Sequence, residues 1–257
     1  NDGTGQGDTL QIANQKISGS AQSTGSFGEV NVGGAEGTLK VKLYPGIANT
    51  VFGLGAGSSL QSSTQSNVII GTYAGINIYA DENTIVGKDS GRYLGQAYSN
   101  KNVAVGYRAL MGASASPSTN SANNNVAVGY LAGGGVTEAY QNVLIGAYAG
   151  DAITTGQNNT ALGNAALSAE DTGTRNVAIG NEALKVLNYD GAGYNVAVGH
   201  RAGYALTTGT TNTFLGGFAG GATDDGTRNV AIGYASMDTG NAGDDNIAIG
   251  YGALQDT

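Results

Sequence analysis

From residue 49 onward, short apolar stretches recur and polar turns separate them. "NVAVGYRAL" stands at 102–110, "NVAVGYLAG" at 125–133 and "NVAVGHRAG" at 195–203. Written out, the motif is N-[VTI]-x-[VIL]-G-x-x-[AS]-[GLM]. It begins at Asn67, Asn83, Asn102, Asn125, Asn142, Asn159, Asn176, Asn195, Asn212, Asn229 and Asn246, with a degraded twelfth copy at Asn49. Neighbouring copies lie 16, 19, 23, 17, 17, 17, 19, 17, 17 and 17 residues apart, so the base period is 17. The extra residues fall between motifs, as loops on one side of a stack do. Within "NVAVG", Val103 and Val105 alternate with Ala104, the period-2 pattern of a strand. Gly106 ends it. A second short segment, "YRAL" or "AYAG", would turn Ala109 or Ala149 inward, and a stretch such as "DTGTR" closes the unit. This predicts two strands and two turns per coil of an all-β, parallel β-solenoid or β-roll of about twelve coils, a rod of roughly 55 Å at the strand spacing. Ankyrin and tetratricopeptide units are about twice as long.

Two motif positions carry physical expectations. The Gly at position five, present in all eleven full copies, calls for a positive φ or a close neighbour. The Asn at position one suits an αL turn residue and, stacked coil on coil, a ladder of side-chain amides. Position three is Ala in seven copies (Ala104, Ala127, Ala161, Ala178, Ala197, Ala231, Ala248) and Ile69, Ile85, Leu144 or Phe214 elsewhere. Taken as facing away from the coil interior, an apolar residue there implies close packing on another chain. Since so small a coil is marginal alone, a homo-oligomer about a three-fold axis is expected. Residues 1–48 lack the motif and read as an N-terminal β adaptor. "FGEVNV" and "TLKVKL" flank "GGAEG" as a hairpin, "SGSAQSTGS" (18–26) is a connector, and Pro45 marks the boundary with the repeat domain, 49–257.

Composition narrows the function. Gly is 45 of 257 residues, charged residues are 12%, and the apolar residues are mostly small, which suits a thin, regularly stacked core. A net charge of −8 argues against nucleic acid, and no run is long enough to span a membrane. With no Cys, disulfides, thiolate metal sites and a Cys nucleophile are excluded. The start at Asn1, without Met or a signal-peptide pattern, reads as a processed product or a fragment.

The motif "NVAVGYRAL" resembles the repeat of trimeric autotransporter adhesin heads, left-handed parallel β-rolls in which three chains pack side by side. The resemblance covers about 49–257 and departs in its longer period and in the Tyr after Gly. That version, with "GYxAG" and "GxNNTALG" (Gly156 to Gly163), is more similar to the shaft repeats of bacteriophage tail fibres, and "ISGSAQSTGSFGEVNV" resembles phage tail connector segments. The resemblance implies a homotrimeric structural fibre of the virion. It would be joined through its N-terminal part to other tail or baseplate proteins and would present a surface to a host glycan or protein. A C-terminal chaperone domain, removed after assembly, is common in such fibres. The alternative of the same fold is the head of a bacterial surface adhesin, extracellular rather than virion-borne.

Chemical candidates are few. His200 is the lone His, with no Ser–His–acid spacing around it. Asp224–Asp225, Asp244–Asp245 and Glu170–Asp171 are acidic pairs of the kind glycosidases use, and a polysaccharide-degrading solenoid is the third reading; their place in turns favours a conformational role. Calcium-roll repeats are absent, and no catalytic, metal or cofactor residue is assigned. "GLGAGS" (53–58) lacks the Lys of a phosphate loop. Tyr73, Tyr107, Tyr130, Tyr148, Tyr234 and Tyr251 could form a sugar-binding stripe or cover the outer surface. Arg108, Arg175, Arg201 and Arg228 read as solvated or inter-chain partners, and Thr is not ranked on a strand as an ice-binding face requires. The longest insertion, Met111 to Asn124, is the candidate recognition loop.

Overall fold

The computed structural model describes residues 30–32, 39–43, 49–60, 64–94, 99–112, 121–240 and 243–255. These form a stack of coils built on one sheet whose fourteen strands lie in chain order. Twelve run parallel, from β3 (Thr50–Phe52) to β14 (Ile247–Ile249), each three residues long and each in strict register with the next coil. At the start, β1 (Val30–Val32) pairs antiparallel with β2 (Leu39–Leu43), as the hairpin reading expects, and β2 pairs antiparallel with β3. The connector at 18–26 and the residues around Pro45 lie outside the described residues. Twelve coils at the parallel-strand spacing make a rod of about 53 Å. Among the described residues there is no helix.

Each coil holds one strand, not two. Positions two to four are the strand, and "YRAL" and its equivalents are turns. The reason is the run of positive φ angles that follows. The position-five glycines sit at φ of +125° to +143°, from Gly233 to Gly163. Position seven, whether Tyr73, Arg108, Tyr148 or Phe218, lies in αL, and so does position nine. A second extended segment cannot form across three such residues. Both expectations for the position-five Gly hold: a Cβ on Gly106 would sit 2.5 Å from the Gly129 carbonyl oxygen of the next coil. The αL residue near the Asn is not the Asn itself. It is the residue before it, as at Ser66, Glu82, Lys101, Arg175 and Arg228. Holding a non-glycine residue there costs roughly 1–2 kcal/mol. Backbone bonds to the neighbouring coil, such as Arg175 N–H to the Gln157 carbonyl at 3.1 Å, hold it in place.

The Asn ladder is continuous. From Asn67 to Asn246, each Asn backbone N–H donates to the side-chain Oδ1 of the Asn one coil earlier, at 2.8–3.2 Å. The Nδ2 of Asn142 then donates across its own coil to the Gly156 carbonyl at 2.9 Å, and Asn159, Asn195 and Asn212 do the same with Gly173, Gly209 and Gly226. One side chain thus joins two coils and ties its own coil shut. Asn67 to Asn229 are all buried, so these bonds are shielded from water.

The interior overturns one expectation. Position three does not face outward: Ala104, Ala127, Ala161, Ala178 and Ala197 are fully buried inside their own coil, while Val103 and Val105 on either side are half-exposed. An apolar Ala there needs no second chain, because it lies against position eight (Ala109, Ala149) and position nine in the core. Volume is traded between positions three and nine. Where position three is Ile69, Ile85, Leu144 or Phe214, position nine is Gly75, Gly91, Gly150 or Gly220. Where it is Ala104, Ala161, Ala178 or Ala231, position nine is Leu110, Leu167, Leu184 or Met237. The coils with Ala127/Gly133 and Ala197/Gly203 are small at both places, and large neighbours fill them. A Cβ on Gly133 would meet Leu144 and Leu110, and one on Gly203 would meet Leu184 and Phe214. Close packing within and between coils sets the size pattern.

Replacing Asn142→Ala strands the buried Asn159 N–H and the Gly156 carbonyl; chemical denaturation should show a loss of about 2–4 kcal/mol. Phe214→Ala should cost about 3–5 kcal/mol, and Gly220→Leu alone should also destabilise, because a Cβ there would sit against the Phe214 ring. The double variant should be more stable than either single one, since other coils already carry the Ala/Leu arrangement with Leu184 at φ +48°. Additive losses would show that the two positions do not share one volume.

Candidate functional site

Three outward surfaces remain once the interior is assigned. The first is the sheet face made by motif positions two and four. Position four is apolar in every coil, position two is Val or Ile in eight of the twelve and Thr in the other four (Thr50, Thr84, Thr160, Thr213), and several of these residues are substantially exposed, including Ile70, Val143, Leu162, Val196 and Leu215. Ladder pairing aligns them: Val126 lies beside Val143, and Val177 beside Val196. Each strand of this face but the last, β14, has its backbone hydrogen bonds to both neighbours already made along the rod, so what it offers is side-chain surface.

The second is the corner just past the position-five Gly. The αL residue at position seven turns the chain there and sends the side chains of positions six and seven outward. Tyr107 stacks on Tyr130 with ring centroids 5.5 Å apart, and Tyr130 meets Tyr148 edge-on at 5.1 Å. His200, Phe218, Tyr234 and Tyr251 continue in the same way, at 5.0, 5.7 and 5.6 Å. Between the two runs, Asn181 donates to Asn164 at 3.3 Å. A hydrogen bond with Tyr130 pushes the Tyr148 phenol up from its ordinary value. Glu182 binds Lys185 at 2.7 Å and Arg201 at 2.6 Å; the Lys185 bond, then the Arg201 bond, hold its carboxyl below the usual range. The Arg201 guanidinium also lies over the Tyr204 ring.

The third is the turn edge. Here the acidic pairs have conformational work. The Asp224 carboxylate accepts the Asp225 N–H at 2.8 Å, and the Asp224 carbonyl accepts both the N–H and the hydroxyl of Thr207. Asp244 accepts the Thr227 N–H, while Asp245 takes a two-point bond from Arg228 that keeps its carboxyl low. His200 is exposed and makes no hydrogen bond or ion pair among the described residues beyond its backbone carbonyl, which accepts the Phe218 N–H. "GLGAGS" is the turn of the first coil, with Gly53 set against Gly71. Of the Met111–Asn124 insertion, residues 113–120 lie outside the described residues. Its far end is anchored, because Asn123 Oδ1 accepts the Asn100 N–H at 2.9 Å and Asn123 bridges to Tyr140. Among the described residues no cluster of three or more metal-ligating side chains exists.

Glu170 is a site the sequence reading assigned to a turn and the structure places in the core. It is fully buried where the adjacent coils carry Ile153 and Leu187. Its two carboxylate oxygens accept the backbone N–H of Gly173 at 2.7 Å and of Tyr189 at 3.3 Å. The 17-residue spacing to Ile153 and Leu187 was the available signal. Burial pushes its carboxyl up, with the two backbone donors opposing. A raised folded-state value means that the folded protein holds this proton more tightly than the unfolded chain does. Stability is therefore greatest below the ordinary glutamate range and falls as pH rises through the raised value. Melting temperatures across about pH 4 to 7 should show Glu170→Gln gaining on the wild type as pH rises. A constant difference would mean that Glu170 takes up its proton equally readily in the folded and unfolded states.

Comparison with family models, with curated proteins and with solved structures finds no match.

Proposed function

We propose that this protein is a structural fibre, the shaft or tip region of a phage tail fibre. In this reading its chains assemble side by side into a homotrimer and hold a host-recognition surface away from the particle. The observation that carries it is the exposed branched face. It runs the length of the rod, about 53 Å, and is three residues wide, giving roughly 500 Å² of mostly apolar sheet face. That is at the upper end of what a monomer leaves exposed and approaches what one partner contributes to a stable interface. A second copy fits it best, because an identical straight rod is the partner with the same length and repeat. The number three comes from the resemblance to adhesin heads and tail-fibre shafts. Residues 1–48 would serve as the adaptor to other tail or baseplate proteins, and the partner at the far surface would be a host glycan or protein.

The rod suits this role mechanically. Every coil is bonded to the next through its strand, its Asn and its corner backbone, so bending would break bonds in several places at once. The adhesin-head reading uses the same face and the same assembly and differs in what carries the rod. The carboxylates an enzyme would need are engaged in turns or buried in the core.

Light scattering during gel filtration tests assembly. A mass three times the chain's 25.6 kDa is expected. Val143→Asp with Val196→Asp, both outward-facing, should reduce it to a single chain with an unchanged far-ultraviolet circular dichroism spectrum. A wild-type monomer would overturn the assembly.

A further inference from the structure

Nine successive coils carry a planar group at motif position six or seven of the corner: two runs of rings in contact, Tyr107–Tyr130–Tyr148 and His200–Phe218–Tyr234–Tyr251, with the amides of Asn164 and Asn181 on the two coils between them. We propose that this column is a carbohydrate-binding platform that takes an extended, neutral, β-linked glycan chain along the rod axis. This deepens the reading above and rests on it for the source of the glycan, a host surface; the binding itself is a property of the corner.

The chemistry of the column points to a sugar. Aromatic rings pack against the C–H faces of pyranoses, and phenol hydroxyls and amides meet the hydroxyl groups around the ring edge. A β-1,4-linked pyranose chain is extended and advances by nearly one coil per sugar, so it can keep step with the 4.8 Å or so between coils. The column is open to a ligand. Tyr130, Tyr148 and Tyr234 are 43%, 40% and 52% exposed, Tyr251 is 83% exposed, and Asn164, Asn181 and His200 are exposed as well. Tyr107–Tyr130 and Tyr234–Tyr251 stack on one another, whereas at Tyr130–Tyr148 and Phe218–Tyr234 the rings meet edge-on, so that in each of these pairs one ring keeps its face uncovered by the other.

Other ligand classes fit less well. A peptide strand would need unpaired backbone groups, yet the corner N–H groups donate to the neighbouring coil, as Tyr148 N–H does to the Tyr130 carbonyl at 2.9 Å. Nucleic acid would meet a chain of net charge −8. Beside the column Glu182 is closed on Lys185 and Arg201, while Lys88 and Arg108 lie over the Tyr107 ring at 5.9 and 5.0 Å, which leaves Tyr130 and the rings beyond it for the sugar; the net charge of −8 disfavours an acidic chain.

The test uses cellohexaose, a soluble neutral β-linked chain, titrated into the full chain. The protein has no Trp, and five of its 14 Tyr lie in the column, so tyrosine emission follows the titration and the tyrosine variants assign the change to the column. Saturable binding is expected, weakened at least tenfold in Tyr130→Ala and in Tyr234→Ala, with melting temperature and mass by light scattering unchanged. Tyr251→Ala, at the most exposed ring, provides a variant with the least structural consequence and should weaken binding too. Absence of binding, or binding that all three variants retain, overturns the proposal. A fall in mass in the tyrosine variants would assign the column to chain–chain contact and overturn it as well. A single-chain wild type that still binds cellohexaose would sink the assembly and leave the platform standing.

Discussion

The buried asparagine ladder is the constraint on which the rest of the molecule depends. A three-residue strand is too short to fix the spacing and phase of a coil alone. The Asn supplies what is missing: its Oδ1 binds the next coil's N–H, and its Nδ2 reaches across to the position-15 carbonyl, as Asn142 does to Gly156. Because each Asn needs a neighbour both before and after it, stability is shared between adjacent coils and the stack behaves as a one-dimensional cooperative array. The ladder also explains why insertions are tolerated where they are. Residues added between motifs leave the Asn and the strand in place, so coils of 16 to 23 residues stack in one register.

The second constraint is space. The interior of a coil admits few side chains, and positions three and nine share one volume. Phe214 demands Gly220, and Ala178 permits Leu184. With the core this thin, most large apolar side chains cannot be inside. They go to the outer face of the sheet and to the aromatic corner, and these two surfaces are the places where the molecule has something left to bind. Backbone valence is spent along the rod axis, so recognition across it is through side chains, whether those of another copy or of a sugar chain. The buried Glu170 is the exception to an apolar interior, held by two backbone donors in place of the aliphatic contacts of Ile153 and Leu187.

The sequence by itself determined the repeat, its 17-residue period, the parallel stacking, the Asn ladder and the Gly contact, since each follows from identical residues falling at one place in successive coils. It did not determine which side of the strand is the inside. Period-2 alternation states that Ala104 and Val103 point oppositely, and a three-residue strand gives no further residue to decide between them. The tertiary structure decided it through the corner. Positive φ at positions five, seven and nine curls the chain toward the position-three side, which encloses Ala104 and leaves Val103 and Val105 facing out. The covariation of positions three and nine was present in the letters, at Leu144 with Gly150 and Ala161 with Leu167, but it acquires meaning only once both are known to face one cavity. The αL residue before the Asn had only a partial signal: Asn124, Asn158 and Asp245 favour that conformation, but Ser66, Lys101, Gln141 and Tyr194 share no propensity for it. Their geometry is imposed by bonds to the coils on either side.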